Sequence, residues 1–233
     1  MSRTLKLLTG ILALTGLAIF NAACGTEHAK VRFVHASPDA GGLDVALDGK
    51  NVATALAFGD VSPATGYLTI ASGNHKVEVR DSTTKDQINS TVDFGSQKSY
   101  TLLISGKVLD EINPIAAVLK TDDNSAPSSG NIKLRVIHDA PSGPAHIDIY
   151  VVPPGTNISG LTPTISNLAY QQASDYKSLP AAMYEVIMTA SGDSADVRSD
   201  GTFTLSAGQN RTLVTLDIPK SVMMSVLELA DLN

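Results

Sequence analysis

Between Leu43 and Leu47 the chain keeps a two-residue beat: Leu43, Val45 and Leu47 are apolar, and Asp44 and Ala46 lie between them. The beat returns in Ile147, Ile149 and Val151. It returns again in HKVEVR, where Val77 and Val79 share one face and Lys76, Glu78 and Arg80 the other. An apolar residue at every second position marks a strand with one buried face. SYTLLISG, AAVLK, RTLVTLDI and SVMMSVLEL extend the set, and SPDAGG, DGKN, GDVSPATG, ASGNH, DSTTKD and GSQK separate the strands as turns. No segment beyond residue 30 holds a helical period for three turns; Leu168–Lys177 comes nearest and is short and polar. The pattern predicts an all-β chain.

The first 23 residues follow another grammar. Arg3 and Lys6 precede the apolar run LLTGILALTGLAIF, and small residues lead to Cys24. This order reads as a secretory signal peptide. The run is short for a membrane-spanning helix, which needs about 20 apolar residues. Cys24 is the single cysteine, so an intrachain disulfide is excluded. Its setting resembles a bacterial lipoprotein processing site: Ala22 and Ala23 fit, while Asn21 stands where that motif usually has leucine. The resemblance implies cleavage after residue 23 and lipidation of Cys24, with membrane lipid as a partner. Gly25 resembles the residue found in lipoproteins bound for the outer membrane. Simple cleavage and release to the periplasm or medium is the alternative.

The rest of the chain is written twice. Val31-Arg32-Phe33-Val34-His35 matches Leu134-Arg135-Val136-Ile137-His138, Pro38 matches Pro141, and Asp44-Val45 matches Asp148-Ile149. Further on, Ala57-Phe58 matches Ala169-Tyr170 and Tyr67 matches Tyr176. A period this long indicates a duplicated domain, not a solenoid repeat. The polar, Pro- and Gly-containing stretch TDDNSAPSSGN separates the copies. The expected organisation is a signal peptide over 1–23, a tether over 24–30, a first domain over 31–121, a linker over 122–130 and a second domain over 131–233. Roughly six to eight short strands per copy predict two tandem immunoglobulin-like β-sandwich domains.

Charge narrows the partners. The whole chain carries −6, and without residues 1–23 it has 15 basic and 23 acidic residues with no basic run. A phosphate backbone needs clustered Lys and Arg, so nucleic acid is excluded as a partner.

The repeated residues are the candidates for chemistry. Arg32 and Arg135 sit inside apolar strands, where a buried guanidinium needs a carboxylate. Asp44 and Asp148 follow at matching places, which suggests the pairs Arg32–Asp44 and Arg135–Asp148 locking each opening hairpin. His35 and His138 end the first strand of each copy and suit a hydrogen bond to a loop carbonyl. The five histidines show no ligand spacing such as HExxH, so no metal is expected. His138 and His146 are near in sequence, but Leu43 occupies the corresponding region of the first copy. Pro38 and Pro141 end a strand and open a turn. DAGGLDVALDG is rich in oxygen ligands but does not match a calcium loop. No G-x-S-x-G elbow is present, and Ser37 adjoins His35 without the geometry of a nucleophile pair.

VRFVHASPDAGGLDVALDG and the following LAFGDVSPATGYLTIASGNHKVEV resemble a bacterial secreted family, domain of unknown function 4397. The first copy fits well, departing at Gly41-Gly42. The second diverges at Asp139-Ala140 and at Gln171-Gln172. The resemblance implies an extracytoplasmic, often lipid-anchored β-sandwich, with no activity, catalytic residue or cofactor to carry over. The reading is a noncatalytic cell-envelope lipoprotein, structural or interacting with an envelope protein or glycan. The alternative is a carbohydrate or small-ligand binding module using Tyr67, Tyr176 or loop aspartates.

Overall fold

The computed structural model describes residues 27–81, 86–108 and 110–232. The signal peptide expected over residues 1–23 and Cys24 lie outside them. The chain folds into two similar all-β modules, each built of two sheets.

The first module contains β1 (His28–His35), β2 (Leu43–Leu47), β3 (Lys50–Leu56), β4 (Val61–Ser62), β5 (Leu68–Ala71), β6 (Gly73–Asp81), β7 (Asp86–Phe94), β8 (Ser99–Ser105) and β9 (Ala116–Asp122). The second contains β10 (Asn131–His138), β11 (His146–Val152), β12 (Ile165–Ala169), β13 (Lys177–Pro180), β14 (Ala182–Ala190), β15 (Val197–Leu205), β16 (Asn210–Asp217) and β17 (Met224–Leu232). One sheet of module one runs β4-β1-β8-β9, with β5 also on β1, and the other runs β3-β2-β6-β7. Module two repeats this as β13-β10-β16-β17 and β12-β11-β14-β15. The sheets are mixed: β1 with β8 and β10 with β16 are parallel, whereas the remaining strand pairs are antiparallel. β1 already begins at His28, inside the stretch the sequence reading gives to the tether.

Strand alternation sorts the residues into layers. Val31 and Phe33 of β1 face inward with Leu102 and Ile104 of β8, against Leu43, Val45, Val77 and Val79 of the other sheet. Leu134, Val136 and Leu213 do the same in module two, against Ile147, Ile149, Val186 and Met188. The opposite faces of β1 and β8 are apolar as well. Val34 and Leu103 pack with Ile137, Val214 and Leu229 of module two in a third cluster. The two inner sheets therefore face each other, and the molecule is a stack of four sheets. This explains why β1 is buried from Val31 to His35 without interruption.

Turn chemistry follows the local sequence. Asp48 and Gly49 join β2 to β3 with φ of 49° and 78°. Positive φ at both central positions suits the right-handed twist of a hairpin, and Asp-Gly supplies it. No described helix is long and apolar enough to cross a membrane.

Candidate functional site

The repeated motif residues split between two places. Arg32 and Arg135 go to the seam between the modules, because their positions in β1 and β10 alternate with the inward-facing Phe33 and Val136. Asp44 and Asp148 lie on the outer sheets and cannot meet them. The pairing Arg32–Asp44 and Arg135–Asp148 is thus replaced by another.

At the seam Arg32 Nη2 donates to Asp231 of module two and, at 3.4 Å, to Asp122 of its own module. Arg135 Nη2 donates to Asp122 in return. Each guanidinium also reaches a backbone carbonyl of the other module: Arg32 Nη1 bonds Ala230 at 2.9 Å and Arg135 Nη1 bonds Thr121 at 2.7 Å. Each module supports its own carboxylate. Thr101 Oγ1 and the Tyr67 hydroxyl donate to Asp122 Oδ2, both at 2.8 Å. Thr212 Oγ1 and the Tyr176 hydroxyl donate to Asp231 Oδ2 at 2.6 and 2.8 Å. The Nε atoms of Arg32 and Arg135 complete the set on Thr101 and Thr212. The Tyr67 and Tyr176 rings lie against the two guanidinium groups, each 4.8 Å from ring centroid to Cζ.

The side chains of Asp122 and Asp231 are 0% exposed and those of the arginines 3%. Two charges of each sign are therefore fully desolvated and fully bonded, the condition under which buried ion pairs are tolerated. Burial works against the Arg32 charge, yet Asp122 and Asp231 outweigh it and hold its pKa above the usual value. Burial, with the nearby carboxylates, pushes both tyrosine hydroxyls far above the usual phenol range, so each stays protonated and donates to its aspartate.

The motif histidines stand at one end of the seam strands. His35 Nδ1 accepts the Ser37 N–H at 3.3 Å, which leaves Nε2 to donate to the Gly41 carbonyl at 2.9 Å. His138 Nε2 bonds the Pro144 carbonyl at 2.7 Å, and its Nδ1 accepts from Thr215 Oγ1 at 3.0 Å. Burial lowers both pKa values and keeps the rings neutral. Pro38 and Pro141 open the turns that follow.

Asp44 and Asp148 hold bulges. Asp44 Oδ1 accepts the Ala55 N–H at 2.8 Å, and Asp148 Oδ1 accepts that of Asn167 at 2.7 Å. Ala55 and Asn167 sit at φ of 49° and 55°, where β3 and β12 slip register against β2 and β11. Asp148 also accepts from the Gly192 N–H and Ser191 Oγ, and despite the desolvation opposing it, these bonds lower its pKa.

Asp122, Asp231, Thr101 and Thr212 are the site residues that sequence reading missed. The sequence pattern places Asp122 in the linker, whereas it ends β9. A signal was present: each copy closes on an apolar strand with an aspartate near its end, AAVLKTD and SVLELAD. The connector itself is tied down. Lys133 Nζ bonds Asp123 at 2.6 Å, and Asn210 Nδ2 bonds the Asp123 and Ser125 carbonyls at 2.8 Å each. No group of three or more His, Cys, Asp or Glu among the described residues comes together to hold a metal.

A family model with the description "Domain of unknown function (DUF4397)" matches residues 29–150. The chain belongs to the DUF4397 family. The match runs through module one and the connector into β11, so this DUF4397 chain carries its family signature across the seam. No curated protein matches it. Among solved structures the DUF4397 chain is similar to CBMbc, of family CBM26, from Eubacterium rectale Amy13K in complex with maltoheptaose. The identity is 8% and the TM-score 0.29, over 85% of this chain and 95% of that one.

Proposed function

We propose that this DUF4397 protein is a noncatalytic envelope lipoprotein whose two sandwich modules act together as one structural or interaction unit. One observation carries the reading. The chemistry-bearing residues of the repeated motif are bonded within the protein, where they hold strands, bulges and the seam. In this reading each module is an immunoglobulin-like sandwich with domain limits of 31–121 and 131–233. Cleavage after residue 23 leaves Cys24 as the lipidated first residue, with the stretch to Lys30 leading into β1. The location is the cell envelope, at the outer membrane by the resemblance at Gly25. Incorporation of radiolabelled palmitate, compared between wild type and Cys24→Ser, tests the anchor: label in the wild type alone is expected, and equal labelling defeats it.

A second reading, binding of a glycan or other hydroxyl-rich ligand, rests on a groove of about 290 Å³ beside the seam. It is lined by Lys120, Asp123, Arg135, Asp175 and Tyr176. It offers donors, acceptors and one aromatic edge, the mixture a polar ligand uses. A binding screen of residues 25–233 against cell-wall polymers and glycans decides between the two. Saturable binding lost in Asp175→Ala favours the groove, and protein partners without glycan binding favour the first reading.

A further inference from the structure

The seam is nearly two-fold symmetric, and its two ends depart from that symmetry together. Strand register and turn bonds make Ala36 the counterpart of Asp139, Gly59 of Gln171, Phe58 of Tyr170 and Leu216 of Ser105. At one end Ala36, Phe58 and Leu216 belong to one apolar cluster. A side chain built on Gly59 there would start 3.8 Å from Leu216 Cδ1. At the other end Ser105 Oγ donates to Asp139 Oδ1. It also meets Gln171 Nε2 at 3.1 Å and the Tyr170 hydroxyl at 3.2 Å. The four positions differ together, all apolar or small at one end and all polar at the other. Gln171 even occupies φ of 59°, a conformation that glycine, its counterpart, adopts without strain. An amide held there at that cost answers to Ser105.

The arginine–aspartate clasp cannot tell the modules apart, since both carry the same Arg, Thr, Tyr and Asp. We propose that the two unlike ends are a pairing key that seats module one on module two and excludes a second copy of either. Two copies of module one would set Ser105 against Ala36 and Gly59, leaving the Leu216 space empty and a hydroxyl unbonded. Two copies of module two would set Asp139 and Gln171 against Leu216, burying a carboxyl without its hydroxyl partner. Both mismatches work by penalising the wrong partner, the usual route to specificity between similar surfaces. The proposal does not depend on the lipid anchor or on any ligand.

The test uses the chain from Gly25 onward, which keeps every described residue. Ser105→Leu gives module one both halves of the apolar end and sets a leucine against Asp139. Its unfolding midpoint should fall by about 5–10 °C, the size expected for a buried polar group losing its partner in a chain this long. Sedimentation should show a concentration-dependent larger species as modules one pair with each other. Adding Asp139→Ala and Gln171→Gly copies the apolar end at three of its four positions, with Tyr170 kept in the place of Phe58. This triple variant should regain most of the midpoint and sediment as the wild type does. Losses that simply add across the three substitutions, or a Ser105→Leu protein that sediments as wild type at every concentration, would overturn the key. Should Ser105→Leu alone fail to fold, recovery in the triple variant still supports the proposal and failure there overturns it.

Discussion

At the scale of single residues, the seam shows what a charge inside an apolar strand requires. Arg32 and Arg135 are buried at the seam, where Asp122, Asp231, Thr101, Thr212 and two backbone carbonyls accept from them. Removing one partner leaves the other charged and dry, which costs about 3–5 kcal/mol. Arg135→Met should lower urea stability by that order, with Asp122→Asn added to it costing less than the two single losses summed. A purely additive result would mean that the bond does not carry the interaction. Asp139 gives a second handle. Burial raises its pKa well above the ordinary carboxylate range, against the Ser105 bond. The folded state therefore keeps a proton that the unfolded chain gives up near about pH 4. Its contribution is complete below that range and is lost as pH rises toward the folded pKa. Asp139→Asn cannot titrate, so its melting temperature should decline less between about pH 4 and 8 than that of wild type. Parallel declines would remove Asp139 as the source.

At the scale of elements, the alternation of Val31 and Phe33 with Arg32 was legible, and so were the hairpin turns, because both depend on neighbours in sequence. The partners of the arginines were not. Asp231 is 199 residues from Arg32 and lies in the other module, and no local period reports such a contact. Asp44 stood out as a motif residue for a reason that sequence could not supply: it holds the positive-φ residue of the next strand. Ala55 is exposed at that bulge, and an L-residue there costs about 1–2 kcal/mol relative to a right-handed conformation. Ala55→Gly should therefore be neutral or stabilising in thermal unfolding, whereas Ala53→Gly, buried in the same strand, should destabilise by about 1 kcal/mol or more. Equal losses at both positions would show that the bulge conformation is not what Asp44 maintains.

At the scale of the whole molecule, duplication was readable as a repeat, but the contact between copies was not, because the seam residues look like ordinary core positions of each copy. The connector reads as a spacer and turns out to be bonded along Asp123–Ser125, by Lys133 and Asn210 and by Asn124 Nδ2 on the Asp231 carbonyl at 2.6 Å. If the seam and not the covalent link holds the modules together, the chain should survive being cut. A protease site placed in the exposed stretch Ser128–Gly130 allows the test. After cleavage the two halves should co-elute on gel filtration at neutral pH, because the third apolar cluster and the crossed arginines stay buried. Introducing Arg32→Ala and Arg135→Ala should let the cut halves part while the uncut chain remains one species, since the link then supplies the effective concentration that the clasp no longer needs. Halves that separate after cleavage with both arginines intact would assign the union of the modules to the connector alone.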